Sequence, residues 1–141
     1  MIQMQDAAFG YGRNPILSAV SLRLAPGSFH FLTGPSGAGK TTFLKLCYGE
    51  LVASSGSVAI FGQEAGSLDR DRIAQMRERI GVVHQDCEFL DHLPIRDNIA
   101  LPLTVSGREG PAQEANLDEL ISWVGLSARA HARPPELSGG E

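Results

Sequence analysis

The fold of this chain is decided by the stretch Gly34-Pro35-Ser36-Gly37-Ala38-Gly39-Lys40-Thr41-Thr42. It fits the pattern G-x-x-x-x-G-K-[ST] of a phosphate-binding loop. The glycines allow a tight backbone turn whose N–H groups point at an anion. The pattern assigns Lys40 to the β- and γ-phosphates and the Thr41 hydroxyl to Mg²⁺. The stretch therefore predicts a nucleoside triphosphate as ligand.

The residues on either side of the loop predict a strand before it and a helix after it. Ser28–Thr33 is short, apolar and aromatic, and Pro26-Gly27 forms a turn in front of it. Thr41–Gly49 has helical spacing, so four apolar side chains are expected to face a core: Phe43, Leu44, Leu46 and Cys47. The N-terminus of this helix would point at the phosphates. These flanks weigh against the alternative, a glycine-rich surface loop that matches by chance.

The composition fits a single nucleotide-binding domain. The chain has 141 residues, of which 43% are hydrophobic, and its net charge is −4. An acidic balance argues against nucleic acid as a main partner. No apolar run approaches the ~20 residues needed to span a bilayer, and no signal peptide is recognisable. The two cysteines, Cys47 and Cys87, form no disulfide framework, which is typical of a reducing cytoplasm.

Hydrophobic periodicity predicts a strand-rich part followed by a helical part. The predicted strands are Ile2–Tyr11, Ile16–Leu24, Ser57–Phe61 and Ile80–Gln85. The predicted helices are Leu68–Arg79 with Ile73 and Met76 inward, one with Pro94 at its first position, and Pro111–Val124. The last of these carries one apolar stripe: Leu117, Leu120, Ile121 and Val124.

A second candidate for anion binding is Leu137-Ser138-Gly139-Gly140-Glu141. Taken alone it is a short match that a polar turn explains equally well. Downstream of a phosphate loop, Ser138 and the glycine N–H groups at the start of a helix can hold a γ-phosphate.

In the order of these motifs the chain resembles the ATP-binding cassette (ABC) ATPases, and the resemblance covers the whole chain. It implies an α/β fold of the P-loop NTPase type, with a RecA-like core, an antiparallel β-subdomain and a helical subdomain. Residues 1–88 would be the β-subdomain and the first part of the core, 89–136 the helical subdomain, and 137–141 the signature motif.

The resemblance also assigns roles to individual residues. Tyr11 would stack on adenine, although an ordinary strand aromatic is the alternative. Gln85, in Val82-Val83-His84-Gln85-Asp86, resembles the family's Q-loop glutamine, which contacts Mg²⁺ and the attacking water; a solvated loop residue is its alternative. Lys40 and Gln85 would be the catalytic residues. ATP and Mg²⁺ would be bound between two copies arranged head to tail, with Ser138, Gly139 and Gly140 contributed by the second copy.

Within the family, four segments are similar to the cell-division ATP-binding subunits of the FtsE type: Phe31–Thr42, Arg79–Asp86, Phe89-Leu90 and Asp97–Leu103. The implied partner is an FtsX-like integral membrane subunit, with this chain cytoplasmic and peripheral on the inner face of the membrane. Subunits of lipoprotein-release and macrolide-export transporters share most of these residues and stay as alternatives. The sequence departs from the pattern at His84, where Phe is usual, and at Pro94, where Thr is common.

The family's pattern continues beyond the signature motif with a Walker B aspartate, a catalytic glutamate and a switch-loop histidine. The sequence stops at Glu141, so we expect an incomplete domain with the C-terminal part of the core missing, little stable fold and negligible turnover. Without flanking strands, Phe29 and Phe31 would lack partners. Two other function classes are a different phosphate-loop enzyme, such as a small-molecule kinase or a GTPase, and a non-hydrolysing ATP-binding module. A GTPase would also need a guanine-reading N-K-x-D, and the sequence has none.

Overall fold

The structure is a computed structural model that describes residues 1–85 and 89–140. It divides into two compact units, the first from Met1 to Val83 and the second from His84 onward. The first unit contains an antiparallel sheet and two helices, and the second contains two longer helices. In the described ranges, no helix combines the length and the apolar character needed to cross a membrane.

The sheet of the first unit has four strands in the order β2-β1-β3-β4, all antiparallel to their neighbours. Its strands are β1 (Ile2–Tyr11), β2 (Asn14–Leu24), β3 (Ser55–Ile60) and β4 (Gln63–Glu64). These bounds confirm the first three predicted strands to within two residues at either end.

The central strand β1 sets which face of the sheet is buried. Met4 lies opposite Leu22 of β2 and opposite Val58 of β3. Directly paired residues share a face of an antiparallel sheet, so these three apolar side chains lie together. Met4 and Val58 are 1% and 2% exposed, which places this face in the core.

Helix α1 (Lys40–Cys47) packs on the core, and helix α2 (Arg70–Arg77) begins after a short 3₁₀ turn at Ala65–Ser67. The Asp69 carboxylate caps α2 by accepting a hydrogen bond of 2.9 Å from the Arg72 N–H. The core of this unit consists of buried residues from every one of these elements except β2 and β4: Met4, Ala7, Phe43, Leu46, Cys47, Val58, Ile60, Ala65 and Met76.

The prediction that Leu44 faces the core is wrong, since its side chain is 51% exposed. Successive residues of a helix are separated by about 100°, so Leu44 lies well away from the direction of Phe43. The buried face of α1 is formed instead by Thr42, Phe43, Leu46 and Cys47.

The predicted strands at Ser28–Thr33 and Ile80–Gln85 are also wrong, because neither segment is a strand. Phe29, Phe31 and Val83 are 81%, 83% and 94% exposed. A strand requires a hydrogen-bonded neighbour, and among the described residues none pairs with either segment. The Phe29 and Phe31 rings meet each other edge to face, with centroids 4.9 Å apart.

The second unit is built on helices α3 (Ile95–Val105) and α4 (Pro111–Trp123). Pro94 is the N-cap of α3, one residue before the predicted position. The Asn98 side chain accepts 2.8 Å from the Leu90 N–H and donates 3.1 Å to the Pro94 carbonyl, which ties the preceding loop to the helix.

Only half of the apolar stripe predicted on α4 is buried. Leu117 and Ile121 are buried, whereas Leu120 and Val124 are 45% and 49% exposed. Leu117 and Ile121 are four positions apart and so lie one above the other on the buried side of the helix, whereas Leu120 and Val124 lie beside them and face outward.

Candidate nucleotide-binding site

The loop Gly34–Gly39 runs directly into α1, and its backbone takes conformations that glycine adopts without strain. Gly37 and Gly39 have φ angles of +79° and +84°, in the left-handed region. Gly39 is the N-cap of the helix, and its carbonyl accepts 2.8 Å from the Phe43 N–H. Among the described residues, no side chain caps this helix start. The N–H groups of its first turn therefore remain available to an anion.

The Lys40 ammonium lies over the loop. Its Nζ donates to the Gly34 carbonyl at 2.8 Å and to the Pro35 carbonyl at 2.7 Å. An ammonium has three N–H donors, and two of them are used in these bonds. The bonds hold the positive charge of Lys40 beside the Gly34 and Pro35 carbonyls. This geometry suits a phosphate oxygen, which would bind the same ammonium.

The end of the loop is packed against β2, so a side chain at Gly39 would push its neighbours aside. A Cβ at Gly39 would lie 2.9 Å from the Ile16 Cγ2 and 3.1 Å from the Leu17 Cδ2. Both atoms belong to the hairpin partner of β1. The contact fixes the hairpin against the base of the loop, an arrangement that the motif itself does not reveal.

Tyr11 stands at the tip of that hairpin. It pairs with Asn14 across a tight turn in which Gly12 has a φ of +63°. Its ring meets the Phe9 ring edge to face with centroids 5.1 Å apart, and its side chain is 55% exposed. Phe9 supports one edge of the ring while the exposed part is open to stacking by a flat base.

Thr41 and Thr42 differ in environment. Thr41 is exposed, so its hydroxyl can reach a ligand, whereas Thr42 is 8% exposed and part of the core. A hydroxyl oxygen suits Mg²⁺, which is usually bound by few protein ligands together with phosphates and water. Over residues 1–85 and 89–140 no group of three or more His, Cys, Asp or Glu side chains could hold a metal. The exposed Thr41 hydroxyl fits Mg²⁺ that arrives with a nucleotide.

The remaining predicted site residues belong to the second unit. Gln85 is exposed and lies immediately before residues 86–88, so its neighbour Asp86 is outside the described residues. Ser138, Gly139 and Gly140 are exposed and follow the 3₁₀ turn Pro134–Glu136; Glu141 is also outside the described residues. The expected helix is not present in the described part of this motif, where Gly139-Gly140 forms a turn.

A polar cluster lies at the C-terminal end of α1, and no sequence motif predicted it. The Glu50 carboxylate accepts 2.6 Å from the Lys45 Nζ and 2.5 Å from the Tyr48 hydroxyl. The hydrogen bond to Glu50 raises the pKa of Lys45, while burial and the bond to Glu50 raise the pKa of Tyr48. No motif spacing signals this cluster, because it depends on the turn that ends the helix.

Comparison with known proteins assigns the chain to a family. The model of the family described as ABC transporter matches residues 17–141. The chain belongs to the ABC transporter family. This confirms the resemblance drawn from the motifs.

Solved structures show that the fold is that of an ABC ATPase. The dimeric post-hydrolysis state of the ATP-binding cassette MJ0796 bound to ADP and Pi is similar, with a TM-score of 0.84 and 26% identity. The match covers 99% of this chain and 64% of that one. A second dimeric structure of MJ0796, a bacterial ABC transporter cassette, gives a TM-score of 0.85 at 27% identity.

Two kinds of ABC ATP-binding protein are similar in sequence. The methionine import ATP-binding protein MetN 2 of Paraburkholderia xenovorans is 42% identical over 89% of this chain and 32% of its own length. MetN of Mesorhizobium japonicum is 36% identical over 100% of the chain and 39% of its own length. The cell division ATP-binding protein FtsE of Haemophilus influenzae is 35% identical over 100% of the chain and 66% of its own length. The chain thus spans 32% to 66% of the length of these relatives.

Proposed function

We propose that this ABC chain binds Mg·ATP through its phosphate loop and forms part of an ATP-hydrolysing subunit. The observation that carries the proposal is the Lys40 ammonium held over the loop, at the start of a helix with no side-chain cap. Together they offer a positive charge and backbone donors to the β- and γ-phosphates. Tyr11 would stack on the adenine, and the Thr41 hydroxyl would bind Mg²⁺.

In this proposal the two halves of the site come from two copies. One copy holds the nucleotide through Gly34, Pro35, Ser36, Gly37, Ala38, Gly39, Lys40, Thr41 and Thr42. The side chain of Thr42 is buried, so this residue contributes through its backbone N–H in the first turn of α1. Ser138, Gly139 and Gly140 of the other copy donate hydrogen bonds to the γ-phosphate. All three residues are exposed, which supports contact with a second molecule. The dimeric state of the MJ0796 structures supports the same assembly.

The chain's own residues would then assist hydrolysis by position and charge. Lys40 stabilises the negative charge that grows on the transferred phosphoryl group. Gln85 would contact Mg²⁺ and orient the attacking water. Bound Mg²⁺ supplies further charge neutralisation. The Walker B aspartate and catalytic glutamate of the family pattern are not found among these 141 residues, so hydrolysis is proposed for the complete subunit.

The proposed partner is an integral membrane subunit, with this chain peripheral on the cytoplasmic face of the membrane. We favour an FtsE-like role in cell division with an FtsX-like partner. The alignment with FtsE of Haemophilus influenzae supports it, because it extends over the whole chain and most of that protein. A role in methionine import is the second candidate, favoured by the higher identity to MetN 2 of Paraburkholderia xenovorans.

The affinity for Mg·ATP after substitution of Tyr11 tests the proposed nucleotide site. Stacking on an aromatic side chain is worth about 1–3 kcal/mol per base, so Tyr11→Ala should weaken Mg·ATP binding by about 5- to 150-fold. Tyr11→Phe keeps the ring and should bind ATP nearly as well as the unchanged protein. Calorimetric titration measures both, and equal affinity of the Ala variant and the unchanged protein would remove Tyr11 from the site.

Co-purification distinguishes the two candidate partners. The product of the complete gene is expressed with an FtsX-like membrane protein and, separately, with the permease of a methionine importer. Retention of the FtsX-like protein alone supports the cell-division role. Retention of the permease alone replaces it with methionine import.

A further inference from the structure

Helix α4 has a second apolar face that the core does not use. Leu117 and Ile121 are buried, whereas Leu120, Trp123 and Val124 are 45%, 84% and 49% exposed. Trp123 is the only tryptophan in the sequence. A tryptophan buries more apolar area than other side chains when it is covered, so its exposure on a regular helix is informative.

The exposed residues form one continuous surface. Asn116, Glu119, Leu120 and Trp123 line a shallow depression of about 430 Å³. Their spacing of three, four and seven positions places them on one side of the helix. We call this depression, together with Val124, the Trp123 surface.

Charge decides what this surface fits. Helix α4 contains three carboxylates, Glu114, Asp118 and Glu119, and no lysine, arginine or histidine. Asp118 is paired with Arg96 of α3 at 3.1 Å, on the side that faces the neighbouring helix. Glu119 lines the depression itself. The Glu119 carboxylate at the depression repels an anionic lipid surface and attracts lysine or arginine.

We propose that the Trp123 surface is the docking site for a basic amphipathic helix of a partner protein. Tryptophan is enriched among the residues that dominate the energy of protein interfaces, and an amphipathic helix presents apolar anchors at matching spacing. An anchor would enter the depression beside Trp123 and Leu120. A lysine or arginine one turn away would pair with Glu119. The surface lies entirely within the second unit and uses none of the nucleotide-site residues.

The test uses the protein expressed from its complete gene and two synthetic helical peptides of equal length. Both peptides carry leucine at helical spacing; one has lysine and the other glutamate at the polar positions. Binding is followed by the fluorescence of Trp123, taken as the difference between the unchanged protein and Trp123→Phe. The lysine peptide should shift this emission to shorter wavelength and bind at least about 10-fold more tightly than the glutamate peptide, a difference of about 1.4 kcal/mol.

Variants then locate the site. Trp123→Ala, measured by the fluorescence anisotropy of a labelled peptide, should weaken binding of the lysine peptide at least about 10-fold, as expected for a residue that dominates an interface. Glu119→Lys should reduce the preference for the lysine peptide. Val105→Ala is the matched control, because Val105 is 79% exposed on α3 and outside the depression; it should bind normally.

Four results would overturn the proposal. Equal binding of the two peptides would show that charge does not select the partner. Normal binding by Trp123→Ala would place the contact elsewhere. A blue-shifted Trp123 emission before any peptide is added, or a shift with phosphatidylglycerol vesicles alone, would show that another segment or a membrane covers the surface.

Discussion

The Lys40 ammonium donates a hydrogen bond of 2.8 Å to the carbonyl of Gly34, so the lysine of the phosphate-loop motif folds back onto its first glycine. The bond joins residues six positions apart and closes the loop on itself. A loop held in this shape has lost much of its conformational freedom before a ligand binds. The position of the Lys40 charge and the turn of the loop backbone are therefore fixed before a nucleotide binds.

Replacing Lys40 should weaken nucleotide binding. Hydrogen bonds to charged groups contribute about 1.5–3 kcal/mol, so Lys40→Ala should raise the Kd for ATP by about 10- to 150-fold. Titration calorimetry with Mg·ATP measures the change. Arg23→Ala removes a positive charge from β2, where Arg23 pairs with Gln3 at the far end of the hairpin from Tyr11, and it should leave the Kd unchanged. Similar losses in both variants would mean that general positive charge, rather than the position of Lys40, attracts the nucleotide.

Two leucines of α1 should differ sharply in their contribution to stability. Leu46 is 0% exposed and Leu44 is 51% exposed. Leu46→Ala leaves a cavity and should lower the free energy of unfolding by about 2–5 kcal/mol. Leu44→Ala should change it by no more than about 0.5 kcal/mol. Urea unfolding followed by circular dichroism measures both, and a large loss at Leu44 would show that another segment buries it.

Two glycines with similar backbone angles should respond differently to alanine. Gly56 and Gly62 have φ angles of +72° and +81°, so alanine is strained by about 1–2 kcal/mol at either position. A Cβ at Gly56 would also clash with the Asp6 carbonyl oxygen, whereas one at Gly62 meets nothing within 4 Å. Gly56→Ala should therefore destabilise the protein by at least about 1 kcal/mol more than Gly62→Ala. Matching unfolding midpoints would refute the close approach of β1 at Gly56.

The Cys47 thiol should be unreactive in the folded protein. Burial raises the pKa of Cys47 to about 11, so almost none of it is thiolate at about pH 8. In a Cys87→Ser background, reaction with a thiol reagent at that pH should be slow and should accelerate in urea. Fast labelling without urea would show that the thiol is accessible.

The same pKa shift gives stability a pH dependence. In the unfolded chain the thiol ionises near the ordinary cysteine pKa of 9.0, whereas burial moves the pKa of the folded thiol to about 11. The folded state binds more protons between these values, so the contribution of Cys47 to stability is complete below about pH 9 and is lost as the pH rises toward about 11. Urea unfolding at about pH 8 and about pH 10.5 should show a smaller decline in a Cys47→Ala variant than in the unchanged protein. An equal decline in both proteins would assign the pH dependence to other groups.

Local patterns predicted the loop, its helix and the hairpin well. The pattern G-x-x-x-x-G-K-[ST] fixed the position of Gly34–Thr42, and helical spacing located α1 and α2 to within about two residues. These elements depend on contacts between residues close in sequence. The order of the motifs along the chain predicted the family, because each motif indicates a separate part of the nucleotide site.

By itself the sequence determined the phosphate loop, the helix that follows it and membership of the ABC transporter family. Only the tertiary structure decided that Gly39 lies against Ile16, that Leu44 faces outward and that Phe31 is exposed. Packing and strand pairing join residues that are distant along the chain. Residues 28–33 have the composition of a buried strand, yet a strand forms only where a neighbouring strand supplies its hydrogen bonds. The periodicity of the segment does not show whether such a neighbour exists.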